Sequence, residues 1–196
     1  MTIQIAILRH GEVQGRAHVF RGASNEPLSA LGLAQMQRAL ARIAGAPFDT
    51  LATSPLPRCH QFATDYAAQQ RLPLQVMPCF SELNFGEWEG LTPDEAAARN
   101  PSEYAAFRAT HGAHAPPDGE TLAAFRARIA QGWHAWMDQG SGSHRLLVTH
   151  AGVMRALLME LLGLTPAQTF QIALPEAACL RVSHLHGQPP FLLSLN

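Results

Sequence analysis

The chain has 196 residues, of which 47% are hydrophobic and 15% charged, and its formal net charge at pH 7 is −1. This length fits one domain. The apolar fraction and the near-neutral charge exclude an intrinsically disordered chain and a protein that binds nucleic-acid phosphates. All 14 basic residues are arginine, so the composition also excludes lysine Schiff-base chemistry and the lysine of a P-loop.

The three cysteines, Cys59, Cys79 and Cys179, are far apart in the sequence and form no Cys-x-x-Cys pair. This spacing indicates neither a zinc ribbon nor a disulfide framework, and it fits an intracellular, reducing compartment. The N-terminus has no basic segment typical of a signal peptide, and no apolar stretch is long enough to cross a bilayer. We therefore expect a soluble, cytoplasmic protein that binds neither a membrane nor a nucleic acid.

The first half of the chain alternates apolar strands with helical patterns. Residues 3–8 form an unbroken β-rich apolar run, typical of a strand buried on both faces of a parallel sheet. Ser29 can cap a following amphipathic helix, which we expect to end at Gly45. Residues 50–54 predict a second strand, a helix opened by prolines follows it, and residues 74–77 predict a short third strand.

The second half begins with a segment of different character. Residues 86–119 are polar, rich in proline and offer only short helical patches, so we interpret them as a cap-like insertion. A long amphipathic helix follows, then an apolar strand at 145–149 and a helix at 152–162 that is apolar nearly all round. Two final apolar runs, 178–185 and 191–195, predict a hairpin or edge strands.

Strands that alternate with helices predict an α/β fold. We expect a single domain over residues 1–196, built as a three-layer sandwich with a mostly parallel central sheet, helices on both of its faces and a small helical cap.

Polar residues follow three of the predicted strands at their C-terminal ends: Arg9 and His10, then Arg58, then His150. Ligands of open α/β sheets bind outside the carboxyl ends of the strands. If these strands are neighbours, two guanidiniums and two imidazoles converge on one crevice and suit a phosphoryl dianion. Gly11 would let a backbone amide approach that ligand. Each residue alone also has a structural alternative, such as a core histidine bonded to a carbonyl, so the prediction rests on their coincidence.

The tetrapeptide Arg9-His10-Gly11-Glu12 resembles the opening motif of the histidine phosphatase superfamily, the phosphoglycerate-mutase-like enzymes. Nearly the whole chain follows the family's order of motifs. The further matching segments are Gly22 with Pro27-Leu28-Ser29 and Gly32, Ser54-Pro55-Leu56-Pro57-Arg58, Glu82-Leu83-Asn84-Phe85-Gly86-Glu87-Trp88-Glu89-Gly90, Gly119-Glu120-Thr121, and Thr149-His150-Ala151-Gly152. Within the superfamily, the compact length and residues 82–90 are most similar to the alpha-ribazole phosphatase branch of the cobalamin pathway, although broad-specificity phosphatases carry near-identical motifs.

The resemblance implies phosphomonoester hydrolysis through a phosphohistidine on His10, with a small phosphate ester as the partner and with no cofactor or metal. Neutral His10 is expected to attack phosphorus, helped by a pKa that nearby guanidiniums lower through like-charge repulsion. Glu82 is implied as the general acid, and it is the resemblance that distinguishes it from Glu87 and Glu89. Arg9, Arg58 and His150 are implied to bind the phosphate, and Arg21, Gly22 and Ala151 to contact the substrate. The oligomeric state stays open, with a homodimer as one option.

Three rival functions follow from other features. A phosphoglycerate mutase must hold a second acidic group and exclude water, and the absence of lysine weighs against it. A metallohydrolase would rest on His184-x-His186 or on the His111/His114 pair, but no carboxylate lies among them at ligand spacing, which favours surface histidines. A non-enzymatic phosphate-ester binding module would gain nothing from the carboxylate of Glu82.

Two positions depart from the family pattern, since many relatives have Asn in place of Arg16 and an acidic residue in place of Asn25. Both lie in the segment expected to shape the rim of the pocket, so the departures bear on the substrate more than on the chemistry. In the cap, Trp88, Tyr104 and Phe107 could stack on a flat base, although core packing is favoured for any one of them.

Overall fold

The computed structural model describes residues 2–43, 47–185 and 188–196, which form six strands and seven α-helices. The strands are β1 (Thr2–Arg9), β2 (Thr50–Thr53), β3 (Leu74–Val76), β4 (His144–Thr149), β5 (Cys179–Leu185) and β6 (Phe191–Leu195). The helices are α1 (Ala30–Ala41), α2 (Pro57–Gln70), α3 (Pro93–Arg99), α4 (Pro101–Ala109), α5 (Leu122–Gln139), α6 (Ala151–Leu162) and α7 (Pro166–Phe170). Within these ranges no helix, including the 18-residue α5, is both long and apolar enough to cross a membrane.

The six strands form one sheet in the order β3-β2-β4-β1-β5-β6. Strands β1 to β4 pair in parallel, whereas β5 pairs antiparallel with β1 and with β6. The prediction of a mostly parallel α/β sheet is therefore confirmed. Because β2, β4 and β1 are adjacent and parallel, their C-terminal ends lie side by side at one edge of the sheet.

The core lies in two layers, one on each face of the sheet. Along β1, Ile5 and Ile7 pack on one face with residues of α5 and α6, and Ala6 and Leu8 pack on the other with residues of α1 and α2. This alternation follows from the two-residue period of a strand. It explains why residues 3–8 form an unbroken apolar run, since both faces of the strand are buried.

Local signals set several of the element boundaries. Ser29 caps α1 as predicted, because its side chain accepts a hydrogen bond from the backbone N–H of Gly32. The predicted stop at Gly45 lies outside the described residues, and α1 itself ends at Ala41. The sequence analysis did not predict α7, a five-residue helix with a capping box formed by Thr165 and Gln168.

Residues 86–119 contain α3 and α4 and have a small core cluster of their own. Its buried members are Trp88, Ala96 and Phe107, and the half-buried rings of Phe20 and Tyr104 pack against them. Phe20 comes from the loop after β1, so the cluster attaches this segment to the edge of the sheet where β1 ends. The interpretation of 86–119 as a cap stays a prediction.

Candidate active site

Three of the predicted site residues contact one another at the adjacent ends of β1, β2 and β4. The rings of His10 and His150 lie edge to face, with centroids 5.2 Å apart. Arg58, in the first turn of α2, donates from Nε to Nδ1 of His150 over 3.3 Å. His10 is 7% exposed, and Arg58 and His150 are fully buried. The topology therefore brings these side chains together as the strand ends predict.

A backbone carbonyl fixes the orientation of the His10 ring. Nδ1 lies 2.8 Å from the carbonyl oxygen of Gly11, which can only accept, so Nδ1 carries the proton and Nε2 has the free electron pair. Burial, followed by the charges of Arg58 and Arg9, lowers the pKa of His10 to about 3. Like-charge repulsion was expected as the cause, but burial is the larger one. His10 is therefore neutral across the physiological pH range.

Gly11 lacks a side chain for a different reason from the one expected. A Cβ at Gly11 would overlap the backbone of Gly32, and a Cβ at Gly32 would overlap the backbone of Glu12. These two glycines let the start of α1 pack directly on the end of β1. The side of Gly11 where a Cβ would project is therefore filled by α1, not by ligand space.

The guanidinium of Arg58 is held by the loop after β1 rather than lying along its own helix. Nη1 donates to the carbonyl of Ser24 and Nη2 to that of Gly22, both over 2.7 Å. Together with the bond to His150, these contacts fix the plane of the guanidinium. Burial lowers its pKa, but arginine remains charged at any physiological pH.

Both ring nitrogens of His150 have partners inside the protein. Because Nδ1 accepts from Arg58, Nε2 carries the proton, and it lies 2.7 Å from Oγ of Ser54. Burial, and then the charge of Arg58, lower the pKa of His150 well below its ordinary value. In this arrangement His150 orients Arg58, and it would have to exchange Ser54 for a phosphate oxygen to bind the phosphate directly.

Arg9 has a buried donor without a partner. Its Nη1 donates to the carbonyl of Leu174 over 2.6 Å, but Nε is buried and has no hydrogen-bond partner among the described residues. Burial lowers the pKa of Arg9, against the opposing charges of Glu82 and Glu176. A buried, unpaired donor on a cation is costly, so this atom fits an anionic ligand.

The carboxyl group of Glu82 lies at the N-terminus of α6. Oε2 accepts from the backbone N–H of Gly152 over 2.9 Å, and Oε1 accepts from that of Leu83 over 3.0 Å. Burial raises the pKa of Glu82 despite these two bonds and the charges of Arg58 and Arg9. A Cβ at Gly152 would collide with the carboxyl group, so this glycine is what lets Glu82 reach the helix.

The structure separates the three glutamates that the sequence left equivalent. Glu89 accepts from three backbone N–H groups, those of Gly22, Ala23 and Phe85, over 2.9–3.0 Å. Glu87 forms an ion pair with Arg99 at 3.6 Å on the surface. The sequence analysis missed the role of Glu89 in joining two loops of the site. The signal for it was the Gly22 segment of the motif series, whose backbone N–H groups need an acceptor once they are buried.

Other predicted contacts lie at the rim of the site. Arg21 donates from Nη2 to the carbonyl of Arg16 over 2.6 Å, and its Nε lies 3.6 Å from Oε2 of Glu26. Arg16 pairs with Glu95 of α3 at 2.7 Å, so this departure from the family pattern connects the rim to the 86–119 segment. Asn25, the second departure, is exposed.

A cavity of about 290 Å³ adjoins the carboxyl group of Glu82 and the first residue of α6, Ala151. Aromatic rings line much of it, among them Phe20, Phe85, Tyr104, Phe107 and Phe170, and the basic side chains of Arg108, His111 and Arg155 also contribute to the lining. Trp88 is fully buried and donates from Nε1 to Asn100, so the alternative of core packing is confirmed for this residue. A ligand in the cavity would therefore have both apolar rings and the carboxyl group of Glu82 among its surroundings.

Of the histidines considered as metal ligands, those within the described ranges do not form a cluster. His114 lies 2.5 Å from a carboxylate oxygen of Glu103, whereas the ring of His111 packs near Phe170. His186 lies outside the described residues. Among residues 2–43, 47–185 and 188–196, no three metal-ligating side chains lie close enough to hold an ion.

Proteins of known family share both the sequence pattern and the fold. The adenosylcobalamin/alpha-ribazole phosphatase of Escherichia coli K12 is 28% identical over 167 residues, covering 85% of this chain and 82% of that protein. The probable phosphoglycerate mutase GpmB of Yersinia enterocolitica is 30% identical over 198 residues, covering 98% of this chain and 89% of that protein.

Solved structures agree on the architecture. The alpha-ribazole phosphatase of Shigella flexneri superposes with a TM-score of 0.87 at 23% identity, over 99% of this chain and 96% of that one. A mycobacterial glucosyl-3-phosphoglycerate phosphatase superposes with a TM-score of 0.85 at 23% identity, over 98% of each chain. The family model of the histidine phosphatase superfamily, branch 1, matches residues 5–196. The chain therefore belongs to the histidine phosphatase superfamily and is a phosphatase.

Proposed function

We propose that the chain hydrolyses a phosphomonoester in two steps through a phosphohistidine on His10. The observation that carries this proposal is a buried, neutral imidazole whose Nδ1 is fixed by the carbonyl of Gly11 and whose ring lies among arginines. Nε2 attacks phosphorus, so a P–N bond forms while the ester P–O bond breaks. Water then attacks phosphorus, the P–N bond breaks, and inorganic phosphate leaves with His10 restored.

Glu82 supplies and recovers the proton in this scheme. Its raised pKa favours the carboxylic acid, which protonates the leaving oxygen as the P–O bond breaks. The resulting carboxylate then takes a proton from the attacking water. The N-terminus of α6, where Gly152 donates to Oε2, stabilises the carboxylate between the two steps.

The charge of the phosphoryl group is balanced by the surrounding donors. Arg9 contributes a guanidinium whose buried Nε has no partner among the described residues, and Arg58 adds a fully buried guanidinium that is bonded to His150. Preorganised donors of this kind stabilise the negative charge of the transition state. His150 contributes through Arg58 and, after release from Ser54, through its own N–H. We assign Arg21, Gly22 and Ala151 to the substrate side of this site.

The substrate we propose is alpha-ribazole 5′-phosphate, and the reaction is assigned to the cytoplasm. The cavity beside Glu82 supports this choice, because its aromatic lining suits a flat, uncharged leaving group. The name of the Escherichia coli relative points to the same compound. The three cysteines are free, which fits a reducing compartment.

The rival is a phosphoglycerate mutase or a broad-specificity phosphatase, since the Yersinia relative is named as a probable mutase. A mutase must retain the phosphoryl group on the histidine and return it to a charged, carboxylate-bearing substrate. The aromatic rings that line much of the cavity offer little to such a substrate, whereas Arg108 and Arg155, which also line it, offer partners for its carboxylate. The two functions therefore differ in product and in the effect of removing a ring from the cavity.

A substrate panel tests the assignment. We expect kcat/KM for alpha-ribazole 5′-phosphate to exceed that for 3-phosphoglycerate, and Tyr104→Ala to raise KM for the former by about tenfold, the size expected for losing one apolar contact. The same variant should leave p-nitrophenyl phosphate hydrolysis within twofold. Phe191→Ala, an exposed ring on β6, is the control. Isomerised phosphoglycerate as the main product, or equal effects of Tyr104→Ala on both esters, would contradict the proposal.

A further inference from the structure

The motif Gly119-Glu120-Thr121, which the proposed reaction does not use, forms an ion pair with α5. Arg128 of α5 donates from Nε to Oε1 of Glu120 over 2.7 Å and from Nη2 to Oε2 over 2.8 Å. Both side chains are shielded, with 27% and 18% of their surfaces exposed. A two-pronged arginine–carboxylate pair of this kind holds the guanidinium in one plane and one direction.

The remaining donors of Arg128 bind the chain segment that carries Glu82. Nη1 donates to the carbonyls of Cys79 and Ser81 over 2.6 and 2.8 Å, and Nη2 donates to the carbonyl of Glu82 itself over 3.0 Å. One guanidinium therefore fixes three carbonyls within four residues. A 3-10 turn over Pro78–Phe80 ends at Ser81, whose N–H donates to the carbonyl of Pro78 over 3.1 Å, and Glu82 follows outside any helix or strand. The bonds from Arg128 are therefore a main restraint on the backbone of Glu82.

We propose that Arg128 is a positioning residue for the general acid, with Glu120 as the counter-charge that orients it. The inference rests on the proposed function, because it takes Glu82 as the acid. The carboxyl group of Glu82 must contact both the N–H of Gly152 and the leaving oxygen, and its backbone carbonyl is held by the guanidinium of Arg128. A displacement of about 1 Å in such a group is enough to cost a large factor in rate.

The arrangement requires the guanidinium group and not only its charge. A lysine has a single ammonium at the end of a flexible stem, and it cannot reach the carboxylate and three carbonyls in a fixed plane. If the segment loosens, Glu82 becomes more hydrated, and the burial that raises its pKa is lost. The carboxyl group would then be ionised at a lower pH and would fail as an acid in the first step.

Two esters whose leaving groups differ in basicity distinguish a displaced general acid from a general loss of active-site structure. An alkyl ester such as benzyl phosphate needs a proton on its leaving oxygen, whereas p-nitrophenyl phosphate departs without one. We expect Arg128→Lys to reduce kcat/KM for benzyl phosphate at least about tenfold more than for p-nitrophenyl phosphate. This factor is part of the rate acceleration of about 10²–10⁴-fold that a general acid contributes. The alkaline limb of the benzyl phosphate pH profile should move to lower pH.

Arg145→Lys is the matched control. Arg145 also uses a buried guanidinium to bind carbonyls, those of Trp136, Met137, Gly140 and Gly142, but it contacts the end of α5 and not the Glu82 segment. We expect it to lower thermal stability and to affect both esters equally. Glu120→Gln, which keeps Arg128, provides a second variant with the same expected selectivity if Arg128→Lys does not fold.

The double variant with Glu82→Gln completes the experiment. If Arg128 acts through Glu82, Arg128→Lys causes no further selective loss on benzyl phosphate in the Glu82→Gln background. Equal losses on both esters, or a selective loss that persists without the Glu82 carboxyl group, would overturn the inference. A Glu82→Gln variant that treats both esters alike would instead overturn the proposed role of Glu82, so the two failures are distinguishable.

Discussion

At the scale of single residues, two neighbouring glutamates have opposite surroundings. Glu89 accepts from the backbone amides of Gly22, Ala23 and Phe85, and the carbonyl of Gly22 in turn accepts from Arg58. Glu87 is exposed and pairs only with Arg99 among the described residues. Glu89 therefore holds the loop that orients the guanidinium of Arg58, whereas Glu87 lies on a solvated surface.

This difference predicts unequal effects of the same substitution. Glu89→Gln replaces an acceptor oxygen by an amide that faces N–H donors, so the loop around Gly22 and the guanidinium of Arg58 should shift. We expect kcat/KM to fall by roughly 10–100-fold for aryl and alkyl esters alike, because binding of the phosphoryl charge is impaired whatever the leaving group. Glu87→Gln should leave both within twofold. Steady-state kinetics decide, and similar behaviour of the two variants would contradict the assignment.

At the scale of elements, the position of the site was predictable and its internal bonding was not. Hydrophobic runs and caps located β1, β2, β4 and α6, and the rule for strand ends placed His10, Arg58 and His150 in one crevice. Such patterns indicate only which residues are buried and whether the apolar residues repeat with the period of a strand or of a helix. They do not record that His150 bonds to Ser54, or that Arg58 binds carbonyls of the loop after β1, since these contacts depend on loop conformation.

The 86–119 segment shows the same limit. Short helical patches were expected in this polar, proline-rich segment, but which aromatic rings face the cavity was not predictable, because a helix of seven to nine residues gives little periodic signal. Trp88 and Phe107 are both buried in the small core of this segment, but only Phe107, together with the half-buried Tyr104, also lines the cavity. Which ring contacts a ligand is thus set by how α3 and α4 pack against Phe20.

At the scale of the whole molecule, the site places unprotonated histidines in the protein interior. The pKa of His10 is lowered to about 3 and that of His150 well below its ordinary value, mainly by burial. Below the ordinary histidine pKa of about 6.5, the unfolded chain takes up protons that the folded chain does not. Stability therefore falls as the pH decreases from about 6.5 towards 3. The raised pKa of Glu82 has the opposite effect on stability. When the pH rises above the ordinary glutamate pKa, the folded chain keeps a proton that the unfolded chain releases, so this group lowers the free energy of unfolding.

Denaturant unfolding at several pH values tests this coupling. Between pH 7 and pH 5, His10 alone should reduce the free energy of unfolding by about 2 kcal/mol, the proton-linkage value for a group that titrates only in the unfolded chain. We expect His10→Asn to flatten the pH dependence by that amount. The exposed His18→Asn, at a backbone position with φ of 55° that Asn tolerates, should keep the wild-type slope. An unchanged slope in His10→Asn would contradict a buried, neutral His10.

The most direct measurement traps the covalent intermediate. We predict that enzyme mixed with a rapidly cleaved aryl phosphate, quenched within milliseconds in alkali and digested, carries one phosphoryl group on the peptide that contains His10. The label should be stable in alkali, lost in acid and absent from His10→Asn. A phosphoryl group on another residue, or turnover without any phosphoenzyme in wild type under single-turnover conditions, would contradict transfer through His10.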